Sequence, residues 1–509
     1  MPFVDANQHL ASFDAAGFDQ AVIGAGAAGI MLALELARQG QRVLLIESGH
    51  FKPDDDRQAL NEIEETGKRL GDAVWTRKRI IGGTTTAWGG QSLPFSPIDF
   101  AARDWVEASG WPIGYETLWP YYARGNAFMG VDTLNYDTDI DRRLRQPAPP
   151  FDREVIYHHY SKWAPEPNFL KRHGRRLKAA VTLLYNAELT RLELADGRRV
   201  SGVEIANFRG ERRTLPARTV ALAAGGIETN RILLLNGLGG QGGWLGRGFM
   251  EHPGVNAGEI ETADMFRLQR WLGTRWLAGR RVSAKLSASA RWQRERRLLN
   301  VSSGVMWLYE GGEIGPLAEL RAFLRAPHPR RLLKALGQAG RLSAGLAALV
   351  TRGVVYKPGV TPVLGLVGEQ PPSHDSYIAL SNETDRFGRR KARLNWRISP
   401  QTWESMVRFA QLIAEQLPRV GLGQVKLYPH IRLDEPDWEA RLTDVNHHMG
   451  GARMSASPAD GVVDPDLRVW GVDNLYACSA AVFPTGSHSN PTLTLLALTA
   501  RLADKLAAG

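Results

Sequence analysis

The chain has 509 residues, of which 43% are hydrophobic and 23% charged, a composition typical of a globular protein with more than one domain. Fibrous, low-complexity and disordered proteins are excluded, and the single cysteine, Cys478, excludes an internal disulfide and any multi-cysteine metal site. We therefore predict no bound metal. The net charge of +10 favours an anionic partner such as nucleic acid, phospholipid or an acidic substrate.

The first residues carry no targeting pattern. Residues 1–19 lack a basic stretch followed by an apolar run, and they contain no twin arginine. We therefore expect a cytoplasmic protein. No run reaches about 18 apolar residues, so a membrane-spanning helix is not expected, while attachment to the inner face of the membrane stays open.

Residues 18–49 read as strand, glycine turn, helix and strand. In GAGAAG, Gly24 permits the tight turn, Gly26 lets the backbone approach a pyrophosphate, and Gly29 allows the helix to pack on the strand. Glu47 ends the second strand, where a carboxylate accepts hydrogen bonds from an adenosine ribose. The segment predicts a dinucleotide site and leaves NAD and FAD undistinguished. Its predicted ligand-binding residues also include Ala27, Ala28 and Ser48.

A later segment repeats part of this pattern. Residues 219–226 form an apolar strand that leads into glycines, and a helical stretch follows. This segment predicts that the nucleotide-binding domain is resumed here, with Ala224 and Gly225 near the cofactor. An ordinary parallel strand and turn explains the segment equally well.

Two polar side chains near the C-terminus suit alcohol oxidation. Oxidising an alcohol requires a base for the hydroxyl proton, and histidine is the usual choice. His447 is our candidate, with the adjacent His448 as its rival, and Asn490 would donate a hydrogen bond to the same oxygen. Pro491 is expected to hold Asn490 extended and to open a helix over 492–506. We expect His488 to be a solvated loop residue.

Four motifs in order resemble the glucose–methanol–choline (GMC) family of flavin oxidoreductases. They are GAGAAG, RIIGGTTTAWGG at 79–90, AAGGIETNRILL at 223–234, and a C-terminal block with HHMGGARM, VVD, NLY and NPTLT. The resemblance looks nearest to the branch of pyranose oxidase and bacterial glycoside oxidases. It selects His447, because the family histidine stands seven residues before a methionine, here Met454.

The resemblance implies a fold, a cofactor and a reaction. The fold is α/β, with a discontinuous Rossmann-like FAD-binding domain and an α+β substrate domain built on an antiparallel sheet. The reaction is FAD-dependent oxidation of a CH–OH group, in a sugar or glycoside, by proton abstraction at His447 and hydride transfer to flavin N5. A dehydrogenase of another alcohol that passes electrons to a quinone or cytochrome, or a flavoprotein lyase, stays open as an alternative.

The family also implies further FAD contacts. Ala87 stands where pyranose oxidases carry a histidine joined covalently to the flavin, so we predict non-covalent FAD. The start of the last helix is expected to point its positive dipole end at the flavin. The implied contacts are Gly82, Gly83, Thr84, Trp88, Gly89, Gly90, Ser479, Ala480, Pro491, Thr492 and Leu493.

The domain division follows from the positions of these motifs. We predict an FAD-binding domain from residues 1–95, 180–255 and 440–509, and a substrate-binding or cap domain from 96–179 and 256–439. Strand-like alternation at 282–288, 299–308, 376–380 and 392–396 predicts the antiparallel sheet that roofs the active site.

The positive charge is concentrated in the predicted substrate domain. Residues 265–368 contain 18 basic and four acidic residues, a net charge of +14, which leaves −4 for the rest. Residues 330–350 read as a basic amphipathic helix, and Trp271, Trp276 and Trp307 are near in sequence. A solvated domain helix, peripheral membrane contact, and recognition of an anionic or lipid-linked sugar all fit this segment. Nucleic-acid binding has no supporting motif, and we predict none.

Overall fold

The computed structural model describes residues 3–146, 149–309, 320, 324, 328, 333, 334 and 336–508. Within these residues, no helix combines the length and the apolar character needed to cross a bilayer. Arg330 and Arg331 of the predicted basic helix lie outside the described residues.

The first sheet is parallel and carries the glycine turn. In spatial order, the six described strands are β1 (Phe3–Asp5), β7 (Thr182–Tyr185), β3 (Val43–Glu47), β2 (Gln20–Ile23), β11 (Thr219–Leu222) and β20 (Leu475–Ala477). Strands β2 and β3 consist of buried residues, as in parallel sheets covered on both faces. This arrangement confirms the expected Rossmann-like layer.

Long helices flank the parallel sheet. These helices are α2 (Ala27–Arg38), α5 (Tyr115–Met129), α7 (Phe169–Ala180), α8 (Gly226–Asn236) and α14 (Pro491–Ala507). Helix α2 packs on α7 and on the C-terminal helix α14, which in turn packs on α5. Because Leu118, Tyr122 and Phe128 of α5 join the same hydrophobic core as the sheet, this core extends into the segment 96–179.

The second sheet is antiparallel and has its own core. Its described strands are β19 (Gln424–Leu427), β12 (Gly254–Glu261), β16 (Val360–Gly368), β15 (Val301–Tyr309), β14 (Arg280–Ala288), β6 (Ile156–Trp163) and β5 (Gln91–Ser92), with β13 (Thr274–Leu277) beside β14. Helix α12 (Pro400–Arg419) packs on β15 and β16, where Phe409 and Ile413 are fully buried. The sheet predicted from alternation is therefore present, although β12 crosses the predicted boundary at residue 255.

Two smaller sheets complete the fold. One contains β8 (Ala187–Ala195), β9 (Arg199–Asn207) and β10 (Arg212–Pro216), and the other contains β17 (Tyr377–Thr384), β18 (Arg390–Asn395) and β4 (Ile63–Glu65). The expectation that 376–380 and 392–396 belong to the roof was wrong. Alternation locates a strand but not its partner, and here β18 pairs with β4 in parallel.

The remaining α-helices of the described residues connect these layers. They are α1 (Ala6–His9), α3 (Asp55–Gln58), α4 (Pro97–Phe100), α6 (Thr138–Leu144), α9 (Met265–Leu272), α10 (Ala290–Arg296), α11 (Ala339–Arg352) and α13 (Trp438–Arg441). The described strands of the parallel sheet all lie within the three segments predicted to bind the cofactor. The complete domain division stays a prediction.

Candidate active site

A cavity of about 920 Å³ lies between the two large sheets. Its floor includes Ile23, Ile46 and Cys478, at or just beyond the carboxyl ends of β2, β3 and β20, and its roof includes Lys285 and Ser302. Ligands of open parallel sheets bind at this end of the strands. The cavity therefore stands where the sequence predicts a dinucleotide.

Two glycines of GAGAAG serve different purposes. A Cβ at Gly29 would lie 1.8 Å from the carbonyl oxygen of Gly24, so this position is needed for packing of the helix on the turn. A Cβ at Gly26 would meet nothing within 4 Å. Gly26 begins α2 without a side-chain cap, and Gly26, Ala27 and Ala28 all line the cavity. We predict that this helix start, the glycine cradle, holds a pyrophosphate.

Glu47 fastens the turn to the second strand. Its two carboxylate oxygens accept the backbone N–H groups of Ala25 and Gly49, each at 2.7 Å. Burial raises the pKa of Glu47, and these hydrogen bonds together with Arg79 oppose that rise. Glu47 lines the cavity, and its bond to a ribose stays a prediction.

The GGTTTAWGG segment lies directly against the glycine turn. Gly82 has φ of +102°, and a Cβ at Gly83 would lie 2.8 Å from the Cα of Gly26. Both glycines are therefore required by backbone conformation or close approach. Farther along, Trp88 donates a hydrogen bond from Nε1 to the carbonyl of Pro167 at 2.8 Å and turns part of its surface to the cavity.

Most of the predicted cofactor residues share this one cavity. Those that line it are Gly24, Gly26, Ala27, Ala28, Glu47, Ser48, Gly83, Thr84, Trp88, Gly89, Gly90, Ala224, Gly225, Ser479, Ala480, Pro491 and Thr492. Three predicted residues do not line it: Gly29, Gly82 and Leu493. Leu493 is buried in the core beside Gly125, which leaves its side chain no access to a cofactor.

His447 and Asn490 meet at the cavity wall. Asn490 Nδ2 lies 3.1 Å from His447 Nε2, and both residues line the cavity. Asn490 has an extended backbone (φ −53°, ψ 123°) before Pro491, as expected, and its side chain makes no capping bond to α14. The amide of Asn490 is therefore free to donate a hydrogen bond to His447.

A second histidine, His252, determines how His447 carries its proton. His252 Nε2 lies 3.0 Å from the carbonyl oxygen of Gly486, so this nitrogen must hold the hydrogen. Neutral His252 then has an acceptor at Nδ1, which lies 2.9 Å from His447 Nδ1. His447 must donate there, which leaves its Nε2 without a proton and facing Asn490. Burial lowers the pKa of His447 well below its usual range, so the ring is neutral at pH 7.

Glu251 holds both histidines through their backbones. Its Oε1 accepts the N–H groups of His447 at 2.6 Å and His252 at 2.9 Å. Its Oε2 makes no hydrogen bond and lies 3.6 Å from His448 Nε2, which is also without a partner. Burial raises the pKa of Glu251 to about 8, so this carboxyl is mostly protonated at pH 7.

Comparison with known proteins supports the predicted family resemblance. The chain matches the GMC oxidoreductase family over residues 372–499 and the FAD binding domain family over residues 19–53. These matches confirm the resemblance to the GMC oxidoreductases. The cofactor of this chain is FAD. The glycine cradle and the size of the cavity fit this group.

Two of the similar proteins cover nearly the whole chain, and a third covers about a third of it. A 2-methyl-1,2-propanediol dehydrogenase from Mycolicibacterium austroafricanum is 22% identical, over 96% of this chain and 94% of its own. A C-glycoside 3-oxidase from Arthrobacter globiformis is 29% identical, over 34% of this chain and 31% of its own. The crystal structure of pyridoxine 4-oxidase from Mesorbium loti superposes with a TM-score of 0.60 at 18% identity, covering 96% of this chain and 99% of that one.

One expectation about the site was wrong. His488 is 8% exposed instead of solvated, and its Nε2 lies 3.1 Å from Ser287 Oγ. A loop position gave no sign of this burial, because the loop is covered by the roof sheet. His488 and Leu93 line both the main cavity and a second one of about 540 Å³, so they stand between the two.

Sequence reasoning missed several groups of the candidate site. His252 and Glu251 lie almost 200 residues before His447 in the chain, and nothing in the local pattern connects them. Arg79 pairs with Glu188 at 3.0 Å and with Glu228 at 2.9 Å beside the cavity. The sequence pattern could have revealed Lys285. It alternates with buried residues along β14, so its side chain must lie on the face of the sheet opposite to theirs.

Proposed function

We propose that this FAD-dependent oxidoreductase oxidises a CH–OH group of a sugar or glycoside, with His447 as the base. The observation that carries the proposal is the pairing of an unprotonated His447 Nε2 with the Asn490 amide on the wall of the FAD cavity. FAD, when bound, supplies the hydride acceptor. The chain itself must hold the alcohol and receive its proton.

The two side chains divide this work. His447 Nε2 accepts the hydroxyl proton, because its other nitrogen already donates to His252. The amide of Asn490 donates to the substrate oxygen and stabilises the negative charge that develops there. His448, the rival candidate, faces the carboxyl of Glu251, and its Nε2 makes no hydrogen bond with the described residues.

A sugar or glycoside suits the polar roof. The polar residues Gln91 and Ser302 line the cavity beside apolar Val367. Such groups pair with the hydroxyls of a sugar, which are costly to bury without partners. The relationship to a protein named as a C-glycoside 3-oxidase points the same way.

Anaerobic mixing of the FAD-loaded enzyme with sugars, glycosides and aliphatic alcohols tests this proposal. We expect at least one sugar or glycoside to bleach the oxidised flavin absorbance. Bleaching only by simple alcohols would contradict the sugar assignment. Full turnover of a candidate substrate without bleaching would favour the lyase alternative. Reoxidation by oxygen, quinone or cytochrome then separates an oxidase from a dehydrogenase.

A specific surface favours peripheral contact with an anionic membrane, and we propose this as a second property. The side chains of Leu333, Leu336, Leu346 and Val350 are between 59 and 77% exposed. Leu346 and Val350 stand one turn apart on the outer face of α11. The nearby cations Lys334 and Arg352 are exposed, and residues 320–368 contain no acidic residue. Exposed leucines among cations suit the surface of an anionic bilayer.

Co-sedimentation with vesicles tests the membrane proposal. We expect binding to phosphatidylglycerol vesicles, weaker binding to phosphatidylcholine, and weakening by high salt. The double substitution of Leu346→Ser and Val350→Ser should reduce binding, while Leu433→Ser, at an exposed leucine elsewhere, should not. Equal sedimentation of all three proteins, or no binding to anionic vesicles, would refute the proposal.

A further inference from the structure

Lys285 is a cation that the roof turns into the active-site cavity. It lies on β14, where Ala284 and Leu286 are buried in the core and Lys285 faces the opposite side. The neighbouring strand β15 leaves room for it, because a Cβ at Gly304 would lie 2.9 Å from its Nζ. Both Lys285 and Gly304 line the cavity.

Lys285 stands at the reaction end of the cavity. Ser287 lies two residues farther along the same face of β14, about 7 Å away. Ser287 Oγ contacts His488 Nε2 at 3.1 Å, and His488 is two residues from Asn490. Burial lowers the pKa of His488, and His252 and the positive charge of Lys285 lower it further. The ammonium is therefore close to the groups that would hold the reacting alcohol.

Among the residues that the structure describes, no protein group neutralises this ammonium. Lys285 makes no hydrogen bond or ion pair with any of them. Burial lowers its pKa, and no neighbouring carboxylate opposes this effect. The ring of His159, which faces Lys285 across the strands, is neutral because burial lowers its pKa well below its usual range.

The other cations of the cavity differ in this respect. Arg79 is paired with Glu188 and Glu228. Arg77 donates to the backbone carbonyls of Ala73 and Asn61. Lys78 lies over the ring of Trp75, 4.8 Å from its centroid. An ammonium turned toward a cavity without a protein partner is costly unless a ligand supplies the negative charge.

We propose that Lys285 binds a carboxylate on the substrate, so that the preferred substrate is an acidic sugar. The inference rests on the proposed function, whose site it shares. One ammonium balances one carboxylate, whereas a phosphate ester, with close to two charges, would be left half compensated. The proposal also gives one residue of the basic segment a role at the active site.

Matched ligands that differ only in charge test the proposal. The affinities of the FAD-loaded enzyme for D-glucuronate, D-galacturonate and D-gluconate are measured from the perturbation of flavin absorbance, beside the corresponding neutral amides. We expect at least one acid to bind about 10- to 100-fold more tightly than its amide, the range of a hydrogen bond to a charged group. No preference for any acid in the wild-type protein would overturn the proposal without any substitution.

Substitutions assign the preference to Lys285. Lys285→Met should abolish the preference for the acid over its amide, and Lys285→Arg should retain this preference. Arg294→Met, which removes the same charge from an exposed site on α10, should have no effect. FAD content and thermal melting report whether each variant is folded, and Lys285→Gln replaces Lys285→Met if the latter is not. A preference that persists without the ammonium would refute the assignment.

Flavin reduction separates this proposal from the proposed function. If neutral sugars bleach the flavin and acids gain nothing in affinity, the oxidoreductase assignment stands and the role of Lys285 fails. If acids bind more tightly through Lys285 and no sugar of either kind is oxidised, the role of Lys285 stands and the sugar oxidation fails.

Discussion

The floor and the roof of the cavity treat charge differently. On the floor, Glu47 accepts two backbone amides, and Arg79 is neutralised by Glu188 and Glu228. On the roof, Lys285 has no partner among the described residues. The charges on the floor are thus neutralised within the protein before any ligand binds, as suits a resident cofactor. The charge of Lys285 on the roof is left for the substrate to neutralise.

The largest expected effects come from substitutions of two glycines in the floor of the cavity. Gly29→Ala places a Cβ 1.8 Å from a backbone oxygen, so we expect loss of FAD and of folded protein. Gly26→Ala meets no protein atom, so we expect a folded protein with FAD affinity at least about tenfold lower, because the pyrophosphate can no longer approach the backbone. FAD content after gel filtration and the far-ultraviolet circular dichroism spectrum measure the two outcomes. Equal behaviour of the two variants would contradict the division between packing and ligand contact.

The next effect concerns the proton of His447. His252→Leu removes the nitrogen that accepts the hydrogen bond from Nδ1 of His447, so His447 can form either tautomer. We therefore expect flavin reduction to slow by about tenfold or more. His252→Gln, which can donate to Gly486 and accept from His447, should recover much of the rate. Substrate affinity should change little in either variant, as measured by the saturation of the reduction rate. Equal loss in both, with lower FAD content, would indicate a purely structural role.

A smaller effect concerns stability at Glu251. Burial raises its pKa from 4.5 to about 8 in the folded state, so the folded protein holds a proton that the unfolded chain releases above pH 4.5. This group therefore lowers stability as pH rises from about 4.5 to 8. Glutamine cannot ionise, so the melting temperature of Glu251→Gln should fall less than that of the wild type between pH 4.5 and 8. Glu107→Gln, at an exposed glutamate, should follow the wild type, and a parallel fall in all three would rule out this cause.

The sequence predicts the floor better than the roof. The turn from Gly24 to Gly29, the helix after it and the strand ending at Glu47 are local patterns, and the structure reproduces them within a residue or two. The contact between Gly83 and Gly26 and the pairing of Arg79 depend on chain segments far apart in sequence. No periodicity reports such contacts.

The reaction end shows the same limit. The proline after Asn490 predicts its extended backbone correctly. The tautomer of His447 depends on His252 and on the carbonyl of Gly486, which only the folded chain brings together. His488 was misjudged for the same reason, since its burial comes from the roof sheet and not from its own loop.

The most direct test of the account is the rate of anaerobic flavin reduction by an oxidisable sugar, measured against pH in the wild type and in His447→Ala. Since burial lowers the pKa of His447 well below 6.5, we expect the wild-type rate to stay level from pH 8 down through 6.5 and to fall only at lower pH. His447→Ala should bind FAD normally and reduce it about 10²- to 10⁴-fold more slowly at every pH in the level range. A wild-type rate that falls near pH 6.5 or above, or near-normal reduction in the variant, would contradict the role of His447 as the base.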